Sequence, residues 1–173
     1  MANDLEQHGG VHAPKSDEFH LTVQFLGETD ESDVAAIGRA LEAATAPLSP
    51  FELRYGGLGA FPSPERARVV WAAATEIETP PGQGLQALAA AIGGRLGALG
   101  YPPEARRLHP HVTLGRVRGR PPPALVDAIE AGKDLDLGRE WVSELKLILS
   151  QPGDRGYRYI DLTTAMFEGP DGS

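Results

Sequence analysis

Two short stretches of this chain repeat each other at a fixed offset. His20-Leu-Thr22 returns as His111-Val-Thr113, 91 residues later. Around the first copy, Phe19, Leu21, Val23 and Phe25 alternate with His20, Thr22, Gln24 and Leu26. A period of two predicts a half-buried strand over 19–26, with Phe25 in the core on the side away from His20. Thr29 then reads as a helix N-cap, with Asp30, Glu31 and Asp33 in the first turn, where the helix dipole favours acids. Val34, Ile37, Leu41 and Ala44 follow at helical spacing, and Pro47 stops the run. Strands are expected at 51–60 and 67–75, joined by the turn Phe61-Pro-Ser-Pro64. A helix over 84–99 ends at Gly100. The second copy opens a strand over 111–118. Pro121 to Pro123 lead into a short helix, and strands at 141–149 and 157–163 complete the chain.

The helix near 30 is answered by the helix near 121, and the strand from 51 by the strand near 142. A two-copy β-α-β-β repeat predicts an α+β fold. Its expected form is two pseudo-symmetric lobes, about 19–80 and 105–167, whose antiparallel sheets flank a central groove. Residues 1–18, with no apolar periodicity, are expected to be a polar tail, and 168–173 a C-terminal tail.

Composition sets the boundaries of this reading. The 173 residues suffice for one domain or two small lobes. No cysteine is present, which excludes disulfides, thiolate catalysis and zinc sites built on Cys. No run of about 18 apolar residues and no signal-peptide core is found, so the expectation is a cytoplasmic protein with no membrane partner. The net charge of −8 is unevenly spread. Residues 1–52 hold ten acids and two bases, whereas residues 53–120 hold nine Arg and four acids. A local basic patch is therefore compatible with an acidic chain. Thirteen of the 16 basic residues are Arg, which suits bidentate phosphate contacts, although genomic base composition produces the same bias.

His20 and Thr22 leave one face of a strand, and so do His111 and Thr113. If the two pairs converge, two imidazoles supply a general acid and a general base near neutral pH. Two hydroxyls can then donate to non-bridging phosphate oxygens. Such a set needs no metal and no cofactor when the leaving group is an adjacent ribose hydroxyl. A single His-x-Thr on a strand is usually just packed or solvated; the repeat in register is what makes the pair informative.

The residues that carry these motifs resemble a known family. Phe19-His-Leu-Thr-Val-Gln-Phe-Leu-Gly-Glu28 and Pro110-His-Val-Thr-Leu-Gly-Arg116 are similar to the paired signature of the 2H phosphoesterases. Within that family they resemble the RNA 2′,3′-cyclic phosphodiesterases, also called 2′-5′ RNA ligases. Gly56-Gly-Leu-Gly-Ala-Phe-Pro-Ser-Pro64, Arg68-Val-Val-Trp71, Leu147-Ile-Leu-Ser-Gln151 and Gly156-Tyr-Arg-Tyr159 extend the likeness over 19–167. The resemblance implies opening of a ribose 2′,3′-cyclic phosphate by water to leave a 2′-phosphate. It implies His20 as proton donor and His111 as proton acceptor, an assignment that spacing alone leaves open. Thr22, Thr113 and Arg116 would bind phosphate. The implied partners are RNA, oligonucleotides or nucleotides carrying such an end, handled by a monomer. Members usually place a strand and a helix ahead of the first motif. The polar residues before His20 lack that pattern, so the expectation is either a truncated start or a sheet short of an edge strand.

Other readings use the same residues. His109-Pro-His111 with His20 offers three imidazoles to a metal, but no Asp or Glu in the motifs completes the set. His8 and His12 read as solvated residues. Arg66, Arg68, Arg106 and Arg107 either guide an RNA strand or are simply solvated. A 2′-5′ RNA ligase, a phosphodiesterase of small cyclic nucleotides and a non-catalytic RNA- or nucleotide-binding module are the alternative functions.

Overall fold

The fold is that of a computed structural model, in which residues 5, 7, 10–15, 18–103, 105, 108–153 and 156–169 are described. His8, Arg106, Arg107 and 170–173 lie outside the described residues. The elements are β1 (Val11–His12), α1 (Val34–Thr45), β2 (Phe51–Phe61), β3 (Val69–Ile77), α2 (Gly84–Ala98), β4 (His111–Val117), α3 (Pro123–Ala131), β5 (Asp136–Val142), β6 (Glu144–Gly153) and β7 (Gly156–Met166). The fold is α+β. One sheet has five strands in the order β1-β4-β3-β2-β5, and β6 and β7 form a second, antiparallel sheet.

The chain divides into two compact units, each drawn from three separated stretches. The first comprises Met1–Thr22, Leu53–Thr75 and His109–Glu140; the second comprises Val23–Glu52, Glu76–Leu108 and Trp141–Ser173. These units differ from the consecutive lobes 19–80 and 105–167 expected from the repeat. The reason is strand pairing: β4, from the second copy, lies between β3 and β1, both encoded before it.

In the first unit, Val70 and Ala72 of β3, Leu114 and Val117 of β4, and Leu125 and Ile129 of α3 form the core. Two backbone bonds bring the loop after α3 against β2: Gly57 N–H donates to Leu135 at 2.8 Å and Leu58 N–H to Gly132 at 2.8 Å. Gly57 has φ +69, and a Cβ there would lie 2.9 Å from the Lys133 carbonyl oxygen, so only glycine fits this approach. Tyr55 on β2 donates to Glu140 on β5 at 2.8 Å; burial and the adjacent carboxylate push its phenol well above the ordinary tyrosine value. In the second unit, α1 buries Ile37, Leu41 and Ala44 and packs on α2 and β7. Phe51 and Phe167 pack in a tilted arrangement at a centroid distance of 5.7 Å.

Several expectations are corrected. The described residues before His20 are not all tail: Leu5 is 2% exposed, Val11 is buried, and both join the core of the first unit. Val11–His12 also supplies the edge strand expected to be missing, with Val11 opposite Val117 and His12 opposite Arg116. Its signal is invisible in sequence because the partner lies about a hundred residues away and the strand is two residues long. The predicted strand 19–26 shrinks to one antiparallel bridge, Leu21 to Val112. An alternating stretch needs a ladder partner, and the edge of β4 is already shared with β1. Phe25, expected in the core, is 66% exposed.

The expected strand 141–149 is two strands. The chain leaves the five-stranded sheet at Ser143, and β6 pairs with β7. Trp141, Leu145, Leu147 and Leu149 keep one parity across the break, so periodicity cannot detect the change of sheet. Asp30, not Thr29, caps the turn that enters α1: its carboxylate accepts from Ser32 N–H at 2.9 Å and Ser32 Oγ at 2.7 Å. These bonds hold the carboxyl below its usual range.

The correction at the start of the chain is directly measurable. Leu5→Ala should lower unfolding free energy by about 2–5 kcal/mol, the usual result of emptying a buried leucine site. A tail residue would change it by less than about 0.5 kcal/mol. Urea titration of the two proteins distinguishes these outcomes.

Candidate active site

β4 is the strand on which the site is built. Its Trp71 and Ala73 neighbours on β3 stand opposite Thr113 and His111, whereas Ala72 stands opposite Val112. Directly opposed residues share a face. Ala72 is buried in the core, so Trp71, Ala73, His111 and Thr113 occupy the other face.

On the opposite edge of β4, the Leu21–Val112 bridge brings the first motif to the same strand. Were the antiparallel register of that bridge continued by one residue each way, His20 would stand across from Thr113 and Thr22 across from His111, on the side of β4 away from Val112. All four residues belong to the first unit. His20, His111 and Thr113 are half-buried and Thr22 is exposed.

Arg116 is three residues beyond Thr113, a spacing that would ordinarily put it on the core side. The register shifts between Val70 and Trp71: Val70 opposes Gly115 and Trp71 opposes Thr113, leaving Leu114 unpaired. This bulge inverts the alternation. Gly115 then shares the core side with Val70, and Arg116, opposite Val69, returns to the side of His111 and Thr113. On its other flank Arg116 stands opposite His12, which joins this face from β1. Arg66, in the turn after β2, and Arg68 are exposed.

The two imidazoles are anchored identically. His20 Nδ1 lies 2.7 Å from the Glu18 carbonyl oxygen, and His111 Nδ1 lies 2.6 Å from that of His109. A carbonyl only accepts, so each Nδ1 carries the hydrogen. Nε2 is then the nitrogen that gains or loses a proton. Around His111, Phe61 lies at a centroid distance of 5.2 Å and an interplanar angle of 83°, and Trp71 at 6.1 Å and 60°. Aromatic contacts of this kind contribute about 0.5–1.5 kcal/mol each beyond burial.

The carbonyls of Glu18 and His109 escape sequence reasoning, because a backbone acceptor has no sequence signature; Phe61 and Trp71 lie in stretches that carry the resemblance but give no local sign that they pack on His111. His109 is singled out in sequence as a metal-ligand candidate; in the structure its ring packs at 4.9 Å from Trp71. No group of three or more His, Asp or Glu able to hold a metal ion occurs among the described residues. No helix among them is long and apolar enough to cross a membrane.

Comparison with known proteins gives the family and the fold. An RNA 2′,3′-cyclic phosphodiesterase of Aeropyrum pernix is 37% identical over 157 residues, covering 87% of this chain and 85% of its own. The crystal structure of TT0787 of Thermus thermophilus shares the fold with a TM-score of 0.79 at 23% identity, over 97% of this chain and 88% of its own. E. coli LigT, solved with 3′-AMP, superposes with a TM-score of 0.65 at 25% identity over 96% and 92%. The model of the 2′-5′ RNA ligase superfamily matches residues 3–153, most of the chain and both His-x-Thr motifs, and the chain belongs to that superfamily.

Proposed function

We propose that this chain is an RNA 2′,3′-cyclic phosphodiesterase, a cytoplasmic monomer that opens cyclic phosphate ends of RNA or oligonucleotides to 2′-phosphates by two-histidine catalysis. The observation that carries the proposal is the matched anchoring of two imidazoles, each tied at Nδ1 to the carbonyl two residues before it, with the first motif bridged to the strand that bears the second. The activity named for the Aeropyrum pernix relative supports the choice of substrate. All five proposed site residues come from one unit of one chain, so no second copy is required.

In the proposed reaction, water attacks phosphorus in line with the P–O3′ bond. Nε2 of neutral His111 takes the proton from water as the new P–O bond forms. The P–O3′ bond breaks, and protonated His20 delivers its Nε2 proton to O3′. Thr22 and Thr113 donate to the non-bridging oxygens, where negative charge builds, and Arg116 offers its guanidinium to the same phosphate or the next one. The histidines finish in exchanged protonation states and reset with solvent. The Nδ1 bonds contribute by holding each ring so that Nε2 stays on the phosphate side through both steps.

His20→Ala and His111→Ala should each lower turnover by about 10²–10⁴-fold while leaving circular dichroism unchanged. Retention of half the activity in either variant would exclude the dyad. EDTA should leave the rate intact, because every step uses side chains of the chain itself; loss with EDTA and rescue by a transition metal would instead favour His109 and His111 as ligands. The rate should also be bell-shaped in pH, since one imidazole must be neutral and the other protonated. Phosphorus NMR should show the 2′-phosphate alone. A mixture with 3′-phosphate would mean that the ring binds in two poses and that the fixed donor and acceptor assignment fails.

A further inference from the structure

We infer that Trp71 is a positioning residue for His111, acting through His109 and seated by Gly59. The inference rests on the proposed role of His111 as an acid–base group. Its starting point is the bond from His111 Nδ1 to the His109 carbonyl at 2.6 Å. That carbonyl belongs to a residue before the start of β4, so no ladder bond of its own strand directs it. What His109 does touch is aromatic. Its ring lies 4.9 Å from the Trp71 ring at 70° and 5.7 Å from Phe61 at 75°.

The indole reaches this place because β2 leaves room for it. Gly59 lies beneath Trp71, and a Cβ there would collide with Cζ2, Cη2 and Cε2 of the indole. From this seat the indole touches His109 and His111 together, and Phe61 closes the cluster at 5.2 Å from both Trp71 and His111. The indole N–H is buried with no hydrogen-bond partner among the described residues. Packing, not a hydrogen bond, therefore sets its position, and the unpaired donor is a cost that the position carries. Trp71 holds the His109 ring, the His109 carbonyl holds Nδ1 of His111, and Nε2 is thereby presented outward. Gly59 sets the depth of the first contact.

The test reads the histidine tautomer and the kinetics in the full chain. Side-chain nitrogen NMR of the wild type should show neutral His111 as the Nδ1–H form. In Trp71→Leu, and in Gly59→Ala, the Nε2–H form of His111 should rise severalfold while the His20 signature stays unchanged. kcat should fall about ten-fold or more with KM moving less than about three-fold, the split expected when a reacting group rather than binding is disturbed. Trp71→Phe, which keeps a ring against His109, should recover most of both readouts. A wild-type His111 tautomer in the folded Trp71→Leu or Gly59→Ala protein would overturn the inference. If Trp71→Leu fails to fold, Gly59→Ala gives the same decision. A wild type without phosphodiesterase activity would sink the proposed function alone, because the tautomer measurement does not depend on turnover.

Discussion

Backbone pairing along β4 is what the site rests on. One seven-residue strand accepts β3 on one side and, on the other, first β1 and then Leu21. Neither histidine motif makes a site alone. The single bridge between Leu21 and Val112 converts two distant tripeptides into one array, because antiparallel register dictates which residues share a face. A slip of one residue at that bridge would turn His20 and Thr22 toward the core. The pairing also explains why the compact units ignore the order of the repeat: a strand that joins both copies must hold segments from each end of the chain.

The bulge at Leu114 is a second constraint, and it acts on one residue. Regular alternation would have carried Arg116 into the core of the first unit, where an unpaired guanidinium is prohibitively costly. The extra residue lets Leu114, Gly115 and Val117 stay with the core while Arg116 turns back toward the threonines. Bulges beside functional groups commonly re-aim a side chain in this way. The result is a strand that carries imidazole, hydroxyl and guanidinium, donors suited to an anion, with no carboxylate in either His-x-Thr.

Equal anchoring ties the same nitrogen, Nδ1, of each imidazole to a backbone carbonyl. Each ring is fixed by the carbonyl two residues before it, a local contact that follows from the chain path into the strand. His111 is enclosed by Phe61, Trp71 and His109, so the group proposed to take a proton from water lies within an aromatic cluster.

The paired His-x-Thr motifs, the helical stripes of α1 and α2 and the alternating apolar residues of β3 and β4 were determined by sequence alone, since each is a local pattern repeated at the period of its element. Those patterns sufficed for the α+β class and to single out His20, Thr22, His111 and Thr113 as candidates. Tertiary structure decided what no local pattern encodes. Leu5 and Val11 lack periodic neighbours, and only β4 and the core it covers give them a place. The stretch around Phe25 alternates well yet finds no ladder, so it stays exposed. Ser143 divides an unbroken apolar pattern between two sheets, and Leu114 turns Arg116 by leaving the register. In every one of these cases the deciding interaction is a backbone pairing between segments far apart in the chain, and hydrophobic periodicity records which way a side chain faces but not which strand lies beside it.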